Sequence, residues 1–313
     1  MNNKTSPKPD LVIPELARGF LLKKETVFLD YKKAILYSLG IGLGSKPLND
    51  SHLKYTFEHA EGFTAFPTIT TILSDASDLF EKLIECPGLP QFDPMSLLHG
   101  EQEICLPEPI TPETEFQIET RLLDIEDKGK GALAIIESKG FKIDNTKLKS
   151  SVSFINTMRL FIRGIGGFSK ISNASKPIIK NLENPSKSAL TTLVYKTDEN
   201  QALLYRLNGD FNPLHADPSM AMIGGFKKPI LHGLCTFGIT AQKIVLEGLK
   251  KDNEDLKNVK ARFTGHVYPG ETLEIEVRKI TEDSFSFQGK VKERNSTVIK
   301  GLIGFRASPK PRI

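Results

Sequence analysis

The chain has 313 residues, 39% of them apolar, and 42 basic against 38 acidic side chains, for a formal charge of +4. That length and apolar content build one large core or two medium ones, while so small a charge with no basic arm fits a small anionic ligand better than a polynucleotide. No apolar run approaches the ~18 residues of a membrane span, and residues 1–9 lack the apolar core of a secretory signal.

In chain order, Tyr31, Ala34, Ile35 and Ser38 fall at three- and four-residue spacing and predict a helix within 28–43 that breaks at Gly40, Gly42 and Gly44. Residues 54–57 read as a short extended piece, and 66–73 as a buried helix beginning at Pro67. Pro87, Pro90 and Pro94 place a surface loop between about 80 and 96. Strand signals then dominate at 103–106, 115–124, 131–142 and 151–163, as in an antiparallel meander, so this half is of the α+β class. The glycine run 163–168 has neither nucleotide-loop spacing nor a Walker lysine and reads as a chain-exit turn. Residues 169–188, rich in Lys, Ser, Asn and Pro, form the natural linker. Cys86, Cys105 and Cys235 have no metal-ligand spacing and read as core residues of a reducing compartment, so no metal is expected.

After the linker the same order recurs. Tyr37 meets Tyr205, and Pro67 to Thr70 meet Cys235 to Gly238, at an offset of 168; residues 110–116 meet 267–273 at 157. Two copies of one α+β unit follow, 1–168 and 189–313. Asp210 falls opposite Gly42 and His215 opposite Pro47, so only the second copy can react, and the first shapes the site or holds the non-reacting part of a substrate. Apolar residues spread all round 231–247 predict an enclosed helix, with Gly233 and Gly238 allowing close contact to a sheet. The sheet comes from strands at 260–266, 271–280, 284–292 and 296–307.

The chemistry concentrates at 205–218. Asp210 and His215 lie five residues apart on a loop fixed by Gly209 and Pro213, where a carboxylate and an imidazole can hold a water and exchange protons near neutral pH. A turn-capping Asp beside a packed His is the plain alternative; the flanking Gly and Pro, and the amide of Asn212, favour the acid/base pair. Asp217 reads as a helix cap. Gly233 opens the apolar helix, where a free N–H suits a developing negative charge. Its neighbour His232 reads as positional, His99 as structural, and Lys227 and Lys228 stand where they could meet a phosphate.

The motif from Tyr205 to His215, the segment from Gly225 to Gly233, and Tyr268-Pro269-Gly270-Glu271-Thr272 resemble the MaoC-type hydratase family, and more narrowly its peroxisomal, R-specific 2-enoyl-CoA hydratase 2 branch. Residues 98–102 and 160–164 extend the likeness to the first half. The resemblance implies a double hot-dog fold, each half a sheet wrapped round a helix. It casts Asp210 and His215 as the acid/base pair, Asn212 as the water-orienting amide and Gly233 as the oxyanion donor. Asn208 stands where the family has Ser or another small polar residue. Implied with these are hydration of trans-2-enoyl-CoA to the (3R)-3-hydroxy product, a homodimer and a peroxisomal setting; no cofactor is expected, and Phe226, Lys227 and Lys228 are candidates for contact with the CoA. To that setting the C-terminal Pro311-Arg312-Ile313 is a loose import-signal match. A hot-dog thioesterase and a non-catalytic acyl-CoA binding module are the alternatives.

Overall fold

The computed structural model describes residues 8–45, 50–74, 77–143, 151–169 and 188–307. The first half supplies strands β1 (Phe20–Leu29), β2 (Leu97–Cys105), β3 (Thr114–Asp127), β4 (Gly131–Lys142) and β5 (Val152–Arg163). The second supplies β6 (Thr191–Lys196), β7 (Leu256–Phe263), β8 (Thr272–Lys279), β9 (Ser284–Val291) and β10 (Ser296–Phe305). They pair as one ten-stranded sheet in the order β1-β3-β4-β5-β2-β7-β10-β9-β8-β6, every pairing antiparallel. Read from either edge inward, the order is the same for each half. The two halves join where β2 meets β7, with Glu101 opposite Arg262 and Glu103 opposite Lys260. Opposite charges facing each other across a register favour that alignment over a slip, and Lys260 reaches Glu103 at 2.6 Å.

Several local expectations need correction. Residues 28 and 29 end β1, and helix α2 (Tyr31–Gly40) starts only after Asp30, whose carboxylate accepts from the Lys33 N–H at 2.7 Å. Neither β1 nor β6 was expected. Both are edge strands of the sheet, and their alternating pattern is diluted by exposed side chains. The expected extended piece at 54–57 is instead the end of a helix, Asp50–Thr56, held by the buried Tyr55, whose hydroxyl donates to Asn253 at 2.8 Å. The stretch 80–96 is not a surface loop. A helix covers Ser77–Glu85, and Leu83, Cys86, Leu89 and Phe92 are buried beneath the first half of the sheet. Strand β2 starts at Leu97 and lies beyond β5, so the meander comprises β3, β4 and β5 alone. Cys86 and Cys235 are core residues, whereas Cys105 is only half-buried. Residues 170–187 of the linker, Pro47 and the C-terminal tripeptide lie outside the described residues.

The organising helix is α7 (Gly233–Gln242), which continues through a π turn over Lys243–Gly248. Every residue from Cys235 to Gln242 is buried, as an apolar surface on all sides requires. Each fully buried large aliphatic or aromatic side chain there contributes roughly 1.5–3 kcal/mol. The core around α7 belongs to both halves, including Tyr37, Ile41 and Phe66 from the first and Tyr205, Phe237 and Ile244 from the second. At Gly238 an added Cβ would lie 2.5 Å from Ile41 Cγ2 and 2.9 Å from the Tyr37 hydroxyl. Its close approach is therefore to the first half's α2 end rather than to a sheet. At the matching position of the first half stands only a buried 3-10 turn, Pro67–Ile72. The predicted helix does begin at its proline, but it is short. Among the described residues no helix is long and apolar enough to cross a membrane.

Candidate active site

The loop that carries Asp210 leaves helix α5 (Gln201–Tyr205) through a 3-10 turn, Arg206–Asn208. Gly209 ends that turn at φ 111°, a left-handed conformation that any side chain would strain. The chain then folds on itself: the Asn212 N–H donates to Asp210 Oδ1 at 3.2 Å, and Asn212 Oδ1 accepts from the Leu214 N–H at 3.0 Å. Pro213 opens a second 3-10 turn, Pro213–His215. Asp217 caps the next helix, α6 (Pro218–Ile223), accepting from both the N–H and the hydroxyl of Ser219 at 2.7 Å. The Asp217 cap was legible in the sequence, whereas the capping by Asn212 was not. For Asn212, however, the amide oxygen is committed to its own turn, which leaves its NH2 as the group that can orient a water.

His215 is 9% exposed, and its Nδ1 lies 2.8 Å from the Ile230 carbonyl. A carbonyl only accepts, so Nδ1 carries the proton and Nε2 presents a lone pair. Asp210, His215 and His232 each bring a carboxylate oxygen or ring nitrogen within 4.8 Å of the others. One water with two hydrogen bonds of about 2.8 Å spans such a gap. His232 stacks on His215 with ring centroids 3.7 Å apart and planes at 27°, and its Nε2 sits 3.2 Å from the Asp210 carbonyl. Stacked rings keep their lone pairs in planes only 27° apart, a poor arrangement for converging on one ion at the ~2.0–2.1 Å of a zinc–imidazole bond. Burial pushes the His215 imidazole below its ordinary value, and the Asp210 carboxylate pulls partly the other way. Burial, reinforced by His215, holds His232 well below its own.

Gly233 is the first residue of α7, so its N–H has no carbonyl one turn back to bond. The segment leading to it is tied twice, by His215 at Ile230 and by the Leu231 N–H donating to Val267 at 2.7 Å. His215 and the helix start are thereby fixed to each other within three residues. An added Cβ at Gly233 would lie 3.5 Å from the Phe263 ring, ordinary contact, so this glycine faces an aromatic wall rather than a tight gap. His99 meets that same Phe263 edge-on at 5.2 Å. Its buried Nε2 has no hydrogen-bond partner, and burial lowers its pKa to about 4. The offset of the repeat gave no hint that His99 lies one side chain from Gly233.

Phe226, Lys227 and Lys228 come together with three residues the sequence reading did not single out for the site. Phe226 meets His266 at 5.0 Å, His266 meets Tyr268 at 4.7 Å, and Tyr268 lies under Lys228 Nζ at 5.2 Å and the Arg294 guanidinium at 5.4 Å. The Lys227 N–H donates to the Tyr268 hydroxyl at 3.3 Å. Arg294 is paired with Glu271 at 2.7 and 2.9 Å, whereas Lys227 and Lys228 are exposed without a described carboxylate partner. Only the Tyr-Pro-Gly motif hinted at this rim; nothing in the sequence ties Arg294 to it.

In the first half, Gly42 stands where the repeat would place the counterpart of Asp210. Its φ is 86°, and a Cβ there would run into the ring and hydroxyl of the buried Tyr195 from β6. Tyr195 donates to Gln201 at 3.1 Å, and Gln201 donates to the Gly40 carbonyl at 2.7 Å. The position is filled from the other half.

Residues 28–164 match the MFE-2 hydratase 2 N-terminal domain, and residues 180–301 match the MaoC like domain. The chain is 40% identical over 274 residues to the probable enoyl-CoA hydratase 2 of Dictyostelium discoideum, covering 87% of this chain and 88% of that protein. It is 36% identical over 267 residues to the peroxisomal multifunctional enzyme type 2 of Mus musculus, of whose length it spans 35%. Among solved structures, a MaoC-like dehydratase from Phytophthora capsici superposes with a TM-score of 0.80 at 27% identity, over 95% of this chain and 98% of that one. A Mycobacterium tuberculosis protein described as a double hotdog fold shares the architecture at 12% identity and a TM-score of 0.54. Matching domains in the same order, and a full-length relative at this identity, place the chain in the MaoC-like enoyl-CoA hydratase 2 family, with the double hot-dog fold.

Proposed function

We propose that the protein adds water reversibly across the double bond of trans-2-enoyl-CoA to give (3R)-3-hydroxyacyl-CoA, a step of fatty acid β-oxidation. The observation that carries this reading is the placement of Asp210 and His215 within 4.8 Å of each other, with His215 tied to Ile230 three residues before Gly233 opens α7. The pair holds one water, with Asn212 orienting it. The water oxygen bonds to C3 and gives up one proton to the pair, and C2 gains one proton from it, so the enzyme ends each cycle unchanged. Between these events charge gathers on the thioester oxygen, where the Gly233 N–H and the helix start stabilise it. Phe226, Lys227 and Lys228 lie beside the approach to this helix and suit the anionic CoA. The first half accommodates the acyl chain; in support, its counterpart of α7 is only the short turn Pro67–Ile72. The family resemblance further supports a homodimer and a peroxisomal setting, the latter matching the name of the mouse relative.

A chirally resolved assay with short and long trans-2-enoyl-CoA tests the reading. The expected result is loss of the enoyl absorbance, (3R) product and no free thiol, with Asp210→Asn and His215→Gln each lowering kcat at least ~10²-fold. Thiol release would mark a thioesterase, and a full rate in both variants would sink the proposal.

A further inference from the structure

His232 touches every part of the proposed machinery without facing the substrate as an acid or base. Its ring is 1% exposed and lies between two others, His215 at 3.7 Å and Tyr205 at 5.0 Å. Its Nε2 is 3.2 Å from the Asp210 carbonyl, which can only accept, so Nε2 bears the proton. Nδ1 is then an unprotonated, buried nitrogen with no hydrogen-bond partner. Its own carbonyl accepts from the Thr236 N–H at 3.1 Å, the first bond of α7. One side chain and its backbone thus join the Asp210 main chain, the His215 ring and the helix start that presents Gly233.

Resting on the hydratase reading, we propose that His232 is a positioning residue: its ring and Nε2–H hold His215 and Asp210 one water apart, while its backbone begins the helix that offers the Gly233 N–H. The titratable and charged groups facing it are Asp210 and His215 on the loop and Tyr205 and Arg206 at the end of α5. A cation stacked 3.7 Å from His215 would oppose a second positive charge there, so the ring does this work in its neutral form.

The experiment uses the full-length chain with trans-2-butenoyl-CoA, and follows the His215 imidazole by NMR titration without substrate. His232→Phe keeps a buried ring on His215 but removes the donor to Asp210. It is expected to lower kcat about 10- to 100-fold with KM within about twofold, the scale of a misplaced reacting group. His232→Ala admits water to the buried face of His215, and the His215 titration should move up toward its ordinary value. If the Ala variant does not fold, His232→Gln carries the same titration readout. Wild-type kcat in His232→Phe, or an unmoved His215 titration in the smaller variant, overturns the proposal. Absence of hydration by the unaltered protein would instead refute the hydratase reading, while the titration still decides the placement of His215.

Discussion

His99, His215 and His232 are all held neutral by burial, and each therefore releases its proton more readily folded than unfolded. As pH falls, the unfolded chain takes up protons first, near 6.5. The stability these groups contribute is complete above that value and drains as pH drops through their folded values, about 4 for His99. Urea denaturation at pH 7 and pH 5 should show a lower midpoint at pH 5, before most carboxylates titrate; equal midpoints would contradict it. Activity follows the same sign. With His215 accepting through Nε2, kcat/KM should be flat at neutral pH and fall by about tenfold per unit once pH drops below its lowered value. Much of this was legible in the sequence: the Asp-Asn-His loop, the cap at Asp217, and Gly233 at a helix start. What was not legible is the stacking of His232 on His215, because two rings seventeen residues apart are joined through α6 and a loop whose path the sequence does not encode locally.

Among the elements, those with strong period-two alternation read well, and β4 and β5 were placed almost to the residue. Misreadings cluster where tertiary context decides. The helix Ser77–Glu85 was overshadowed by the prolines that follow it, and the edge strands β1 and β6 have one side to pair and many exposed side chains. Gly238 tests the packing of α7 against the first half. Gly238→Ala should destabilise by about 1–3 kcal/mol through overpacking, despite the better helix propensity of alanine. Adding Ile41→Ala should recover part of that loss in a double-mutant cycle, and strict additivity would show that the two do not share the contact. The rim beside α6 makes a separate prediction. Lys228→Ala should raise KM for the CoA thioester by about fivefold, near the value of one exposed charge pair. The N-acetylcysteamine thioester, which lacks the phosphates, should be unaffected; equal changes for both would place Lys228 outside the CoA contact.

Over the whole molecule, the sheet reads the same from both edges, yet the two halves are not interchangeable. The repeat was visible in the sequence through Tyr37 and Tyr205, whose rings meet across the shared core at 6.2 Å. Its offset also aligned the turn Pro67–Ile72 with α7. The sequence did not reveal that the strands of both halves run into a single sheet through β2 and β7, since an inter-half register depends on partners more than 150 residues away.

The tyrosine at 195 gives this asymmetry a direction. Restoring a carboxylate at position 42 would not restore a second reaction centre, because the space and the left-handed backbone there now belong to a side chain from the other half. A carboxylate there would need at least two coordinated changes, one to the left-handed backbone at Gly42 and one to withdraw Tyr195. The crowding at position 42 ties the two halves together, so a change of shape in either must carry Tyr195 and Gly42 with it.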